Sequence, residues 1–266
     1  MDVNKNSYTF IFATVMVVVV AAILSYASTS LKPFQDKNKE LESKQNILKS
    51  IGVNVERDGA EEAFKKYIKE ELVIKGGEQV MEPDVAALDI NLAKEIKKEG
   101  SDRTLPLFVA DKDGATCYII PLRGKGLWGP VWGYLSLQSD ANTIIGATFD
   151  HEGETPGLGA EISKGIFMDQ FPGKKILKDG KFVSVEVRKG DASGDYQVDG
   201  ISGGTITSVG VDDMLKDCIQ NYIPYLKGRA IAKSSTPKEI EEKSIEPLDS
   251  TAVKVDSLTA AATIIE

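Results

Sequence analysis

Hydrophobic and polar positions divide the chain into stretches of different period. Residues 6–31 hold no charged side chain, and 10–24 are almost wholly apolar. About 20 apolar residues suffice to cross a bilayer as a helix. Residues 36–51 then set Leu41, Ile47, Leu48 and Ile51 among many charges. That pattern predicts a solvated helix with a narrow apolar stripe, a stalk against a membrane partner. Residues 60–74 carry Ala63, Phe64, Tyr67, Ile68 and Leu72 on one side, which predicts a second amphipathic helix. The charged section up to Gly100 reads as an insertion decorating the core.

From residue 105 the chain turns to short β-rich runs. Runs 105–110 and 116–122 flank Asp111-Lys112-Asp113-Gly114, a hairpin signal. Runs 131–137 and 143–149 form a second such pair. Residues 182–188 alternate as a half-buried strand should. Residues 209–226 return to helical spacing through Val211, Met214, Leu215, Cys218, Ile219, Tyr222 and Leu226, with Pro224 expected to end or kink the last turns. Hairpins with helices between and after them favour an α+β fold, with a mainly antiparallel sheet and flanking helices, over a doubly wound one. The expected organisation is an N-terminal transmembrane anchor (1–33), a membrane-proximal helical region (34–100), a folded domain (101–230) and a disordered tail (231–266) rich in Ser, Thr, Pro, Lys and Glu.

Composition narrows the possibilities. The chain has 266 residues, 42% hydrophobic and 27% charged, enough for a buried core. A net charge of −8 with no basic stripe argues against nucleic acid as a partner. The two cysteines, Cys117 and Cys218, lack CxxC spacing, so no iron–sulfur or zinc site is expected; two buried free thiols fit better than a disulfide. One histidine, His151, leaves little scope for His-based triads or metal sites. The apolar span fits either a retained anchor or a signal peptide ending at Ser25-Tyr26-Ala27, and the charge-free stretch to Leu31 favours the anchor. Either reading exports the rest of the chain. The lysines at 32, 37, 39, 44 and 49 oppose that orientation under the positive-inside rule, but long domains translocate largely regardless of charge.

Candidate chemistry gathers in glycine-rich loops. Asp199-Gly200-Ile201-Ser202-Gly203-Gly204-Thr205-Ile206-Thr207-Ser208 sets two glycines among hydroxyls just before a predicted helix. Free N–H groups and the positive dipole end there suit a phosphate beside a threonine hydroxyl. On composition alone it is also an ordinary tight turn, with Thr207 or Ser208 as a helix cap and Asp199 as a turn cap. Glu154-Thr155-Pro156-Gly157-Leu158-Gly159 follows a predicted strand and would let a flat ring lie close to backbone N–H groups. Gly124-Lys125-Gly126-Leu127-Trp128-Gly129 offers an indole for stacking or for anchoring a loop to the core. Phe171-Pro172-Gly173-Lys174 brings a cation, Lys174. Gly157-Leu158-Gly159 lacks the third glycine and the βαβ context of a nucleotide fingerprint, so NADH binding is not expected.

Asp199-x-x-Ser202-Gly203-Gly204-Thr205 resembles the flavinylation motif Asp-x-x-[Ser/Thr]-Gly-Ala-Thr, with Gly204 where alanine is usual. Together with the other three loops, Leu31-Lys32-Pro33-Phe34-Gln35 and Gln45-Asn46-Ile47-Leu48, it is similar to the C-subunit family of the sodium-translocating NADH:quinone oxidoreductases. The G-subunit of the Rnf electron-transport complexes shares the flavin motif and is the alternative; an assembly or structural membrane protein, or a standalone flavinylated reductase, belongs to other classes. The resemblance implies FMN joined covalently through its phosphate to Thr205, with Asp199, Ser202, Gly203, Gly204, Glu154, Thr155, Gly157, Leu158, Gly159, Trp128 and Lys174 around it. It further implies a separate Mg²⁺-dependent flavin transferase that uses FAD, partner subunits in the inner membrane, a periplasmic soluble domain, and electron transfer without catalytic or metal-ligating residues in this chain.

Overall fold

The computed structural model describes residues 6–234. The chain opens with α1 (Asn6–Ser50), one helix of 45 residues that contains Pro33. Its apolar half is long and apolar enough to cross a membrane, and none of that window is buried in the protein. The helix does not stop at the end of that half. It runs on through 32–43 and ends inside the folded part of the chain. Residues 36–51 are therefore the continuation of the span, and their last two turns reach the core: Lys44, Ile47, Leu48 and Ser50 are buried. This corrects the reading of a solvated stalk along its whole length. The apolar stripe is short because only the last two turns have to pack.

Next come α2 (Ala60–Tyr67), β1 (Ile68–Lys75) and β2 (Glu78–Gln79). The single helix expected over 60–74 thus changes to a strand at Ile68. Leu72, Val73 and Ile74 are buried in succession. Such an apolar run suits a strand covered on both faces, and a short apolar run does not by its period distinguish helix from strand. After α3 (Leu92–Glu95) the sheet continues with β3 (Thr104–Lys112), β4 (Ala115–Lys125), β5 (Pro130–Leu137) and β6 (Ile144–His151). These six strands lie in the order β2-β1-β3-β4-β5-β6, every neighbouring pair antiparallel. The antiparallel α+β fold and both hairpins are as the sequence predicts.

Beyond the sheet follow α4 (Gly165–Met168), the short pair β7 (Leu177–Lys178) and β8 (Lys181–Phe182), then β9 (Glu186–Arg188) paired in parallel with β10 (Gln197–Asp199). The strand expected over 182–188 is broken at Ser184, whose φ is +63°. Last are α5 (Thr205–Ile219) and α6 (Ile223–Ser234). Pro224 lies in the first turn of α6, where its missing N–H is no loss, so it opens a helix and does not kink one. α6 takes in the first residues of the segment assigned to a tail; 235–266 lie outside the described residues.

The sheet has a core on each face. Tyr118, Ile120 and Leu122 of β4 point to α5, meeting Val211, Met214, Leu215 and Ile219. Cys117 and Ile119 alternate to the other face, where Ile47, Leu48, Phe64 and Phe108 gather. Polar ties lock the end of α1 there. Ser50 Oγ lies 2.5 Å from Ser136 Oγ, and Lys112 Nζ donates to the Ile51 carbonyl at 2.7 Å. Both cysteines are free and buried. Burial pushes the Cys218 thiol up to about 11, so it stays protonated at neutral pH. Leu48→Ala, which empties a fully buried position at the root of α1, is expected to cost about 2–5 kcal/mol in chemical denaturation of the purified protein.

Candidate functional site

Three of the glycine-rich loops meet at one buried carboxyl group. Glu154 leaves the end of β6 and is 4% exposed. Its Oε1 accepts the backbone N–H of Trp128 at 2.8 Å, and its Oε2 accepts the Thr207 hydroxyl at 2.6 Å. His151 Nδ1 accepts the N–H of Glu154 itself at 3.3 Å. The β4–β5 hairpin, the loop after β6 and the first turn of α5 are therefore joined through a single side chain. Gly159 lies against it so closely that a Cβ there would fall on Glu154 Oε2 and Thr207 Oγ1.

This junction fixes the start of α5. Gly204 is the N-cap residue and makes no side-chain cap bond, and the first turn carries no acidic residue. The first N–H groups of a helix have no partner within it, so this end presents donors and partial positive charge. Thr205 is the first residue of α5 and is exposed, as are Ser202 and Gly203. The turn at Gly203 needs φ +75°, and a Cβ there would also meet Leu158 Cδ2 at 2.7 Å. The 158 loop and the 203 turn are consequently in contact. Thr207 and Ser208 lie inside the helix and do not cap it. Ser208 Oγ accepts the Ile201 N–H at 2.9 Å, which closes the turn from behind.

Asp199 works upstream of the turn. Its Oδ1 accepts the Ala192 N–H at 2.9 Å, while Gln170 brackets its backbone, accepting from the N–H at 2.8 Å and donating to the carbonyl at 3.1 Å. The strand that feeds the motif is thus held at both its backbone and its carboxylate. Lys174 Nζ donates to the Gly194 carbonyl at 2.7 Å, so its ammonium is committed to that loop. Phe171, in the same motif, is fully buried against Phe149 and Phe167, with centroids 5.0 and 5.4 Å away. That trio supports the end of β6 from which Glu154 departs.

The surface around Thr205 is apolar. Trp128 is 67% exposed, so its indole does not anchor the loop to the core; the backbone bond to Glu154 does that. Leu127, Leu158, Ile206 and Val209 are exposed too. Thr155 and Gly157 lie in the open part of the same loop. The sequence reading missed Ile206 and Val209 as part of this surface. Their signal was present: three apart on α5, they share a face turned away from the core positions 211, 214, 215 and 218. An exposed hydroxyl, a helix N-terminus and a partly exposed aromatic and aliphatic rim can together hold a group with an anionic end and a flat apolar body.

The chain resembles known proteins across this same region. The family model described as FMN-binding domain matches residues 126–220. The C-subunit of Na(+)-translocating NADH-quinone reductase from Haemophilus ducreyi is 34% identical over 233 residues, covering 80% of this chain and 90% of that protein. Its counterpart from Neisseria meningitidis is 31% identical over 245 residues, covering 85% and 95%. A crystal structure of the corresponding protein from Parabacteroides distasonis is 48% identical with a TM-score of 0.68, covering 74% of this chain and 96% of that one.

Two substitutions separate the clamp from the motif's variable glycine. Gly159→Ala is expected to cost at least about 2 kcal/mol in chemical denaturation, because the methyl collides with the Glu154 carboxylate and with the Thr207 hydroxyl bonded to it. Gly204→Ala should stay within about 1 kcal/mol of wild type. Its φ of −101° is open to alanine, and the nearest atoms to the new methyl are at 3.1–3.3 Å.

Proposed function

The chain belongs to the C-subunit family of the Na(+)-translocating NADH-quinone reductases, and from that premise we propose that it carries FMN as a phosphoester on Thr205 and relays electrons between redox subunits of such a complex. Family membership also decides between the two complexes that share the flavin motif, in favour of the quinone reductase over Rnf. One observation carries the assignment of Thr205. It is the exposed hydroxyl at the first residue of α5, on the junction where three of the loops are pinned through Glu154.

The residues present fit the group. The N-terminal turn of α5 would hold the phosphate, and Thr205 would supply the ester oxygen. Gly203 and Gly157 leave their loops without side chains, and Trp128 and Leu158 offer an aromatic and an aliphatic surface for the ring. Ser202, Gly204, Thr155 and Gly159 shape the two turns. Glu154 and Asp199 act from behind, since their carboxylate oxygens bond to the protein. Lys174 contributes at most charge at a distance, its ammonium being held on Gly194. FMN, when bound, supplies one- and two-electron redox chemistry, and the protein supplies placement and the polarity around it.

A threonine hydroxyl is a weak nucleophile without a base. We assign the activation to a separate flavin transferase. Thr205 Oγ1 attacks the FMN-side phosphorus of FAD, AMP leaves with the electrons of the broken anhydride bond, and the hydroxyl proton passes to a base of the transferase. The apolar half of α1 anchors the chain in the inner membrane, and the folded part is placed on the periplasmic side. A covalent tether suits that compartment, where a dissociated flavin would be lost.

Coexpression with a flavin transferase is expected to give a fluorescent band under ultraviolet light on a denaturing gel. Thr205→Ala should abolish it and Ser202→Ala should keep it; a band that survives Thr205→Ala would place the ester elsewhere. In intact spheroplasts, added protease should degrade the folded part of the chain, and its survival would overturn the periplasmic assignment.

A further inference from the structure

A cleft lies on the opposite face of the sheet from α5. It has a volume of about 560 Å³ and opens between α1 at Lys39–Asn46, the 87–93 segment and the ends of β4 and β5. Arg123 and Trp132 face each other across these two strands and line it. The guanidinium carbon stands 5.2 Å from the indole centroid, a cation–π distance. Phe108, Leu88 and Tyr134 supply apolar lining.

Arg123 is the unusual member. An arginine offers five N–H donors in a planar fork and is normally paired when its solvent is reduced. Here the side chain is only partly exposed, yet among the described residues its guanidinium makes neither a hydrogen bond nor an ion pair. Glu152 lines the same cleft and favours the charge electrostatically without bonding to it. Burial pulls the arginine below its ordinary pKa range, consistent with a cation whose counter-charge is incomplete. A fork of unused donors on an aromatic shelf, above an apolar floor, matches one ligand chemistry: a planar anion on an apolar stem.

We propose that this cleft binds a carboxylate carried on an apolar stem, with Arg123 gripping the carboxylate and Trp132 and Phe108 taking the stem. The carboxylate comes either from a free organic acid or from an acidic side chain of a neighbouring membrane protein of the complex, since the cleft flanks α1 just before that helix becomes buried. The site is separate from the Thr205 surface and does not depend on the flavin assignment. The same β4–β5 hairpin nevertheless carries both: Arg123 and Trp132 on its strands, Trp128 at its tip.

The experiment uses the full-length Trp128→Phe chain in detergent, where Trp132 is the one tryptophan left of two. Octanoate is the probe and octylamine, with the same stem and the wrong charge, is the control. Octanoate should change Trp132 fluorescence saturably, with half-saturation below about 1 mM. Arg123→Met should raise that concentration at least about tenfold, and Arg123→Lys, which keeps the charge but loses the fork, should weaken it as well. Equal responses to octanoate and octylamine, or an octanoate response indifferent to both arginine variants, would overturn the proposal, as would no saturable response. Repeating the titration in the assembled complex separates the sources. A retained response means that a free acid enters, and a lost one means that a neighbour's carboxylate already fills the cleft.

Discussion

A carboxyl group withdrawn from water is costly unless its oxygens find donors, and removing one partner of such a group strands the other. Glu154 meets that condition with one donor from the β4–β5 hairpin and one from α5. The three loops that make up the site therefore cannot drift apart separately. Each is glycine-rich and would be floppy alone; pinned through Glu154 they form one rigid junction. The consequence reaches Thr205, which is not itself among the hydrogen-bond partners of Glu154 in the described residues. Its position follows from Thr207, two residues along the same first helical turn.

The sheet puts the two halves of the molecule's task on opposite faces. α5 packs on one face and begins at the proposed anchor, while the last two turns of α1 pack on the other and lead to the membrane. β4 belongs to both, its side chains alternating between the two cores. Any force on the membrane helix is passed through a single layer of strands to the loops around Thr205. The cleft at Arg123 lies in that layer, on the membrane-helix side.

Much of this was legible in the sequence where local chemistry decides the outcome. The Asp113-Gly114 turn, the β-rich runs of β3 to β6 and the charge-free span each demand one local structure. The motifs also pointed to loops that do converge. What was not legible depended on partners distant in sequence. Ile68 to Ile74 became a strand because β3 covers its edge, a fact absent from its own period. The root of α1 looks solvated in sequence because the pocket for Ile47 and Leu48 is built from Phe64 and Phe108, distant along the chain. Glu154 carried an acid's signature but not its clamp, since Trp128 contributes a backbone N–H that any residue could supply.

The continuity of α1 has a mechanical meaning. From Leu31, where the charge-free stretch ends, to Lys44, where burial begins, the helix rises about 20 Å at 1.5 Å per residue. It is rooted in the core at one end and in lipid at the other. Such a rod is a lever arm. Tilting it by about 20°, the average for membrane helices, swings the domain sideways by about 7 Å. A change in how the helix leans among its neighbours in the bilayer would thus be read out above the membrane as a change of distance, with no rearrangement inside the domain itself.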